Sequence, residues 1–198
     1  MDQYKYIVVE GNIGSGKTSL AKMISQEHDR ELILEEFADN TFLPQFYNQP
    51  ERYAFPLELS FLAARYHQLK KKLTALPLKT FVSDYLFDKS LLFAKVNLKE
   101  EEFGLYRTFF ELLERDIPKP DLIIYLDKDI AKLQANIEKR GRPFEKDISN
   151  TYLENIQIGY EKILSDSGLN VLKINSGELD FVKNESHFKK VINRILTY

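Results

Sequence analysis

A short glycine-rich segment near the start of the sequence has the residue types needed to bind phosphate groups. Residues 11–18 (GNIGSGKT) fit the pattern G-x-x-x-x-G-K-[ST], between an apolar run and a helical pattern. Glycines let backbone N–H groups turn towards phosphate oxygens, Lys17 can reach the outer phosphates, and the Thr18 hydroxyl can bind Mg²⁺. The segment therefore predicts binding of a nucleoside triphosphate; an ordinary glycine-rich turn is the alternative. The expected nucleotide contacts are Gly11, Asn12, Ile13, Gly14, Ser15, Gly16, Lys17 and Thr18.

Acidic residues follow two of the predicted strands. Glu35 and Glu36 end one apolar run, and Asp84 ends another. Because ligands of parallel sheets bind outside the carboxyl ends of the strands, we expect one of the two glutamates to take a proton from an attacking hydroxyl. Asp84 is expected to hold Mg²⁺, directly or through water, or to cap the following helix. No Lys or Arg occurs between Leu32 and Pro44, which favours an uncharged acceptor over a phosphorylated one.

A cationic loop follows one of the predicted helices. Lys139 precedes Arg140-Gly141-Arg142, and Pro143 follows it. Such a loop can close over a triphosphate and stabilise the charge of the transferred phosphoryl group. A basic helix end before a glycine stop is the alternative interpretation.

The elements that must position these residues alternate between strands and helices. Several of the predicted strands are continuous apolar runs, which is typical of parallel strands covered on both faces. The pattern predicts an α/β fold with a doubly wound, five-stranded parallel sheet in a single domain, 1–198. The predicted strands are Tyr4–Glu10, Glu31–Glu35, Thr80–Ser83, Leu122–Leu126 and Asn170–Ile174. The predicted helices are Thr18–His28, Glu51–Leu76, Leu86–Val96, Glu100–Arg115, Ile130–Lys139, Asn150–Ser165 and Phe181–Leu196.

Composition excludes several classes of protein. The 198 residues are 43% hydrophobic and 29% charged, with 28 basic and 30 acidic residues interspersed. Duplex nucleic acids require a concentrated basic face, so we expect no nucleic-acid binding. No apolar run approaches the roughly 18 residues that a bilayer requires, and there is no cysteine. We therefore expect a cytoplasmic protein that does not enter a membrane.

The phosphate loop leaves the acceptor open. A GTPase should carry Asn-Lys-x-Asp after a later strand, and residues 126–129 (LDKD) lack the Asn and the spacing. A DNA-dependent ATPase would need a basic surface and a Walker-type strand end, which Ser83-Asp84 fits only weakly. A small-molecule kinase is favoured. A thymidylate-type nucleoside monophosphate kinase and a nucleotide-binding regulator of a protein partner remain as alternatives.

Nearly the whole chain resembles the deoxyribonucleoside kinase family. Residues 10–18 (EGNIGSGKT) are very similar to its phosphate loop, and 35–43 (EEFADNTFL) to its E-P-V-A-D-N segment. Residues 50–53 (PERY) and the helix after them resemble its nucleoside-binding helix. Residues 139–142 resemble its lid, for which we expect a span of about 139–147. Residues 179–181 (LDF) resemble its adenine-holding loop.

The resemblance implies a P-loop NTPase fold and an ATP- and Mg²⁺-dependent transfer of a phosphoryl group to the 5'-hydroxyl of a deoxyribonucleoside. Glu35 would be the general base, Lys17 and Arg140 would neutralise the transferring group, and Thr18 with Asp84 would place the metal. Further nucleotide contacts implied are Arg142, Asp180 and Phe181. The implied substrate contacts are Tyr47 and Glu145 at the sugar and Arg65 and Asp88 at the base. Phe93 would form part of the wall of the base pocket; the alternative is that Phe93 is an ordinary core residue of its helix.

Three positions depart from the family pattern. Asp84-Tyr85-Leu86 replaces Asp/Glu-Arg-Ser, so an arginine is missing and Lys89 is the nearest substitute. Asn136 stands where a lid arginine is common, and Glu58 stands where a glutamine reads the base. An ionised Glu58 only accepts hydrogen bonds. A glutamate at this position therefore favours a purine deoxynucleoside as the substrate, deoxyadenosine before deoxyguanosine. The alternative is that Glu58 pairs with Arg65 and does not contact the base.

The helical segment Phe103–Leu113 (FGLYRTFFELL) carries more apolar surface than one exposed face should. Together with the family resemblance, it predicts a homodimer; burial in the core is the alternative. The sequence leaves the preferred base, the ribose discrimination, the donor preference and any feedback inhibitor open.

Overall fold

A computed structural model of the chain describes residues 1, 3–36, 40–76, 78–166 and 168–198. Residues 37–39 of the predicted E-P-V-A-D-N-like segment lie outside that description. Within the described residues, five parallel strands form one sheet in the order β2-β3-β1-β4-β5. The strands are β1 (Tyr6–Gly11), β2 (Glu31–Ile33), β3 (Phe81–Ser83), β4 (Leu122–Asp127) and β5 (Val171–Asn175). This confirms the predicted five-stranded parallel sheet.

Eight α-helices are present in the described part of the chain. They are α1 (Lys17–Glu27), α2 (Leu43–Asn48), α3 (Pro50–Ala75), α4 (Lys89–Asn97), α5 (Glu100–Glu114), α6 (Ile130–Arg140), α7 (Asn150–Asp166) and α8 (Glu185–Leu196). A single 3₁₀ turn, Pro143–Glu145, follows α6. None of these helices is long and apolar enough to cross a bilayer.

The central strand β1 is buried on both faces. Ile7 and Val9 pack into the core formed with α1 and α8, whereas Tyr6 and Val8 pack into the core formed with α3, α4 and α5. Alternate side chains of a strand lie on opposite faces, so a strand covered by helices on both sides must be apolar throughout. This is the physical reason for the continuous apolar run in the sequence.

Among the element boundaries that differ from the predicted ones, three lie beside side chains that bond to backbone groups. Strand β2 ends at Ile33 and not at Glu35, since the Glu35 N–H donates to the Asp84 carboxylate at 2.8 Å. Helix α4 begins at Lys89 and not at Leu86, and the Leu86 N–H donates to Glu10 at 2.7 Å. Helix α8 begins at Glu185 and not at Phe181, and the Asn184 side chain caps it by accepting the Ser186 N–H. The short helix α2 was not predicted.

The sheet places three of the predicted site segments next to one another at the carboxyl ends of its strands. The phosphate loop follows β1, Glu35 follows β2, and Asp84 follows β3, and these strands are neighbours in the sheet. Their carboxyl ends therefore meet where the candidate site is expected.

Two glycines inside helices have opposite surroundings, which gives a test of the packing. A Cβ on Gly104 of α5 would meet nothing within 4 Å, but on Gly159 of α7 it would lie 2.9 Å from Leu92 Cγ in the core. We expect Gly104→Ala to raise the free energy of unfolding by about 0.5–1 kcal/mol through helix propensity. Gly159→Ala should lower it by about 1 kcal/mol or more through overpacking. Chemical unfolding of both variants at one protein concentration measures this, and equal effects would contradict the packing of α7 on α4.

Candidate active site

The phosphate loop joins β1 to α1 in a conformation that requires glycine at two positions. Gly14 and Gly16 have φ values of 82° and 99°, which side-chain-bearing residues rarely adopt. A Cβ on Gly14 would lie 2.8 Å from the Leu133 carbonyl oxygen. Asn136 of α6 stabilises the phosphate loop, because its side-chain amide donates a hydrogen bond to the Gly14 carbonyl oxygen at 2.8 Å. The residue that departs from the lid pattern therefore contacts the loop backbone.

Lys17 lies at the centre of the site and is half-buried. Burial lowers the pKa of its ammonium group to about 8, and the nearby Lys89 adds to this effect. The carboxylates of Glu10, Glu35 and Asp84 oppose it. A bound polyphosphate would supply further negative charge at this point, so the site is suited to an anion.

Asp84 connects the loop to the second strand. Its Oδ2 accepts a hydrogen bond from the Thr18 hydroxyl at 2.5 Å, and its Oδ1 accepts the Glu35 N–H at 2.8 Å. Asp84 lies five residues before the first residue of α4 and does not cap that helix, so the alternative role is not seen.

The same pair fits a magnesium ion. A hydroxyl and a carboxylate oxygen are ligands that Mg²⁺ accepts, with phosphate oxygens and waters completing the octahedron. The described residues contain no group of three or more His, Cys, Asp or Glu that would form a complete protein cage. Thr18 and Asp84 are therefore a suitable pair for a metal that arrives with a nucleotide.

Glu35 forms the strongest ion cluster of the site. Its Oε1 accepts from Arg65 Nε and Nη2 at 2.8 and 2.6 Å, and its Oε2 accepts from Lys89 Nζ at 2.7 Å. Burial by itself raises the pKa of the Glu35 carboxyl, but Lys89 and Arg65 overcome it and hold the pKa well below its usual range. Glu36, in contrast, is exposed and accepts a hydrogen bond from Gln68.

This cluster corrects one step of the sequence interpretation. The absence of Lys and Arg between residues 32 and 44 suggested a carboxylate without positive neighbours. Two cations nevertheless reach Glu35, because α3 supplies Arg65 and α4 supplies Lys89. Lys89, which the sequence offered as the nearest substitute for the arginine missing after Asp84, is one of these two cations. Both cations are paired with the Glu35 carboxylate and are not directed at an acceptor phosphate.

A cavity extends from Glu35 between α2, α3, α4 and the loop after α6. It brings together most of the residues that the sequence singled out for the substrate: Glu35, Tyr47, Glu58, Arg65, Asp84, Phe93 and Glu145. Arg140 and Arg142, which were predicted to contact the nucleotide, line it as well. Sequence reasoning missed several lining residues, chiefly Phe61, Asn97, Phe144 and Tyr152. They belong to ordinary apolar or polar helix positions, so no local pattern distinguishes them from core or surface residues. The lining includes six aromatic side chains, which suit a planar ring: Phe46, Tyr47, Phe61, Phe93, Phe144 and Tyr152.

Glu58 lies deep in this cavity and is 2% exposed. Its Oε1 accepts from Asn97 Nδ2 at 2.7 Å, and Arg65 makes its hydrogen bonds to Glu35 and Ser90 instead. Burial raises the pKa of the Glu58 carboxyl to about 7, although Arg65 and the Asn97 amide oppose the shift. With a pKa near neutrality, this carboxyl group can donate a hydrogen bond in its neutral form as well as accept hydrogen bonds in its ionised form.

Asp88 is not brought to the cavity with Arg65. Its carboxylate faces Lys119 at 3.5 Å and lines a separate small pocket beside Pro118 and Pro120. Successive residues at a helix start differ by about 100° in direction. The side chain that turns from α4 into the cavity is therefore Lys89, and the expected base contact of Asp88 is not made in this structure.

The cationic loop forms its own ion cluster. Arg140 and Arg142 both pair with the buried carboxylate of Glu145. The distance from Arg142 Nη1 to Glu145 Oε1 is 3.1 Å. Gly141 ends α6 with a left-handed φ of 66°, so the segment is both a glycine-terminated helix end and a cationic loop. Phe144 of the same loop stacks on Tyr47 of α2, with ring centroids 6.1 Å apart.

A second cleft opens on the other side of the phosphate loop. It includes Asp180 and Phe181, and a Cβ on Gly16 would lie 3.1 Å from the Phe181 ring. Four residues line both cavities: Lys17, Thr18, Arg140 and Arg142. The cationic residues therefore lie at the junction between two ligand-sized spaces.

Comparisons with known proteins agree with this geometry. A model of the family described as deoxynucleoside kinase matches residues 7–198. The chain is 37% identical to a deoxyguanosine kinase of Bacillus subtilis, with 96% of each protein covered. It is 30% identical to a deoxyadenosine/deoxycytidine kinase of the same organism, over 96% of this chain and 90% of that protein.

A solved structure of deoxyadenosine kinase from M. mycoides with bound dATP has a TM-score of 0.83 and 24% identity, over 96% of this chain and 98% of that one. At this identity the match supports the fold alone, and it agrees with the predicted P-loop NTPase fold.

The ion cluster at Glu35 predicts a specific dependence of stability on acid. Because the folded-state pKa is lowered, the stability that Glu35 contributes is fully present above its ordinary value of 4.5 and is lost as the pH falls towards the folded value. Glu35→Gln leaves two buried cations without their partner and should cost about 3 kcal/mol near neutral pH. Urea unfolding should show this difference shrinking steadily below about pH 4.5. A difference that stays constant down to about pH 3 would contradict the ion cluster, and Glu36→Gln should change stability by less than about 0.5 kcal/mol.

Proposed function

The chain belongs to the deoxynucleoside kinase family, and on that basis we propose that ATP and a purine deoxynucleoside bind on opposite sides of its phosphate loop. The γ-phosphoryl group of ATP would pass to the 5'-hydroxyl of the nucleoside. The observation that carries this proposal is the set of four residues, Lys17, Thr18, Arg140 and Arg142, that line both cavities. A group held by them can be reached from either side.

The roles of the residues follow from the character of phosphoryl transfer. The transition state is loose, so the protein mainly positions the reactants and stabilises charge. Glu35 would accept the hydrogen bond of the 5'-hydroxyl and receive its proton as the new bond forms. Lys17 and Arg140 would neutralise the transferring group. Lys89 would hold Glu35 in place, since it donates to that carboxylate at 2.7 Å.

A magnesium ion bound by Thr18 and Asp84 would offset the charge of the triphosphate when it is present. On the donor side, Asp180 and Phe181 line the cleft in which the adenine of ATP would lie. On the acceptor side, Tyr47 and Glu145 would contact the sugar and Phe93 would contact the base. The two Bacillus subtilis relatives, a deoxyguanosine kinase and a deoxyadenosine/deoxycytidine kinase, both have a purine deoxynucleoside in their names, which supports a purine.

A nucleoside monophosphate kinase is not favoured. An acceptor phosphate would need cations free to bind it beside Glu35, and Arg65 and Lys89 both bond to the Glu35 carboxylate. The cluster instead presents a carboxylate edge, which suits an uncharged hydroxyl group.

Two adjacent glutamates provide a matched test of the proposed base. We expect Glu35→Gln to lower kcat by about a hundredfold or more, because the positioned proton acceptor is lost. Glu36→Gln should keep wild-type kinetics, since Glu36 is exposed and contacts Gln68 instead of the cavity. ATP consumption measured with and without a panel of deoxynucleosides gives both numbers, with each variant held below its unfolding temperature. Near-normal turnover of Glu35→Gln, or an equal loss in both variants, would remove Glu35 from this role.

We also propose that the protein is a homodimer that uses one face of α5. Leu105, Phe109 and Leu112 lie four and three residues apart on this helix and are 51%, 44% and 60% exposed. Tyr106 and Phe110 of the same helix are buried in the core. The apolar excess noted in the sequence is therefore divided between the core and a surface stripe, which a second copy of the chain would cover.

This proposal predicts a change of oligomeric state. Leu112→Glu places a charge within the stripe and should convert the dimer to a monomer in sedimentation velocity experiments. Leu78→Glu, at a residue that is 98% exposed and outside the stripe, should leave the sedimentation coefficient unchanged. A wild-type protein that sediments as a monomer, or a Leu112→Glu variant that remains a dimer, would contradict the interface.

A further inference from the structure

Glu58 combines deep burial with an unsatisfied hydrogen-bonding atom in the substrate cavity. One carboxyl oxygen, Oε1, is held by Asn97 at 2.7 Å. The other, Oε2, is buried and has no hydrogen-bond partner among the residues that the structure describes. Buried polar atoms are nearly always hydrogen-bonded, and an unmade bond is costly. An unpaired oxygen in a cavity wall therefore indicates a ligand group that completes it.

No cation is hydrogen-bonded to this carboxyl group. Arg65 donates to Glu35 and Ser90, and Lys89 donates to Glu35. The only hydrogen-bond partner of Glu58 in the described chain is the neutral Asn97 amide. A desolvated carboxylate without a direct cation is unfavourable, so this setting stabilises the neutral acid. Consistently, burial raises the pKa of Glu58 to about 7, close to physiological pH.

The charged and titratable groups that face Glu58 come from several elements. They are Glu35 after β2, Tyr47 of α2, Arg65 of α3, Lys89 of α4, Tyr106 of α5 and Tyr152 of α7. Arg65 and Lys89 favour the ionised form of Glu58, and Glu35 opposes it. Burial raises the pKa values of the three tyrosines well above neutrality, so they stay uncharged near pH 7. The loop residues Arg140, Arg142 and Glu145 line the same cavity but are paired with one another.

We propose that Glu58 recognises the base as a neutral carboxylic acid, with Oε2–H donating to a ring nitrogen and Oε1 accepting from the neighbouring exocyclic amine. Oε1 can do this while it is bound to Asn97, because a carboxyl oxygen has two lone pairs. This inference rests on the proposed function and adds the protonation state that selects the base. Asn97 is the positioning residue that fixes the orientation of the acid.

The two protonation states of Glu58 favour different bases. Adenine presents a ring-nitrogen acceptor beside an amine donor, which matches the donor and acceptor of the neutral acid. Guanine presents an N1–H and a 2-amino group, two adjacent donors that match a carboxylate, which only accepts. Guanine also presents O6 beside N1–H, which the neutral acid can match, so only adenine requires the protonated form. The preference for deoxyadenosine over deoxyguanosine therefore falls as Glu58 ionises.

The test is the ratio of kcat/KM for deoxyadenosine to kcat/KM for deoxyguanosine as a function of pH, with saturating ATP and Mg²⁺. In the wild type this ratio should fall about tenfold or more from about pH 6 to about pH 8, following the protonated fraction of Glu58. Lys17 also titrates here, since burial lowers its pKa to about 8, but it acts on both substrates and cancels in the ratio.

Two variants separate Glu58 from other groups. In Glu58→Gln, a side-chain amide donates and accepts at every pH, so the ratio should be independent of pH. Asp116→Asn, at an exposed carboxylate paired with Lys70, should keep the wild-type profile. A wild-type ratio that does not change with pH, or a pH-dependent ratio that persists in Glu58→Gln, would overturn the inference.

A second measurement uses only the wild-type protein, in case Glu58→Gln folds poorly. Calorimetry near pH 8 in buffers of different ionisation enthalpy should show more proton uptake on binding deoxyadenosine than on binding deoxyguanosine. Equal proton uptake for the two nucleosides would overturn the inference. A wild-type enzyme that phosphorylates no deoxynucleoside at any pH would instead contradict the proposed function.

Discussion

The carboxylate of Glu35 is bonded to two buried cations, and this ion cluster joins the elements that meet at the site. Glu35 follows β2, Arg65 lies in the middle of α3, and Lys89 is the first residue of α4. Removing three charges from water is costly, so the cluster is stable only as a complete set. Its geometry fixes the carboxylate edge beside Lys17, where an acceptor hydroxyl and a donor phosphate would meet.

A second buried acid, Glu10, forms hydrogen bonds to the segments that carry the site residues. Glu10 is fully buried at the end of β1 and accepts the N–H of Gly11, the N–H of Leu86 and the hydroxyl of Tyr160. It therefore ties the start of the phosphate loop to the segment that carries Asp84 and Lys89. Burial raises the pKa of Glu10, and Lys89 and Lys17 oppose this shift. The acids of the site thus have distinct environments, which is common where charge must be placed accurately.

The sequence predicted those features that depend on local patterns. The phosphate loop is a contiguous motif between a strand and a helix, and the continuous apolar runs follow from burial of the sheet on both faces. Long-range pairing was not predictable: Glu35 and Arg65 are 30 residues apart, and Glu35 and Lys89 are 54 apart. The choice between Asp88 and Lys89 depended on where α4 begins, which no local pattern of the sequence fixed. Asn97 has no distinguishing local signal, so its contact with Glu58 appears only in the folded structure.

The most direct test is to identify the product when wild-type enzyme, ATP and Mg²⁺ are incubated separately with deoxyadenosine and with deoxyadenosine monophosphate. A site that presents a carboxylate to an uncharged hydroxyl should convert the nucleoside to the 5'-monophosphate and leave the monophosphate unchanged, as mass spectrometry of the products would record. Formation of a diphosphate from the monophosphate, with the nucleoside unreacted, would contradict this assignment of the cavity beside Glu35.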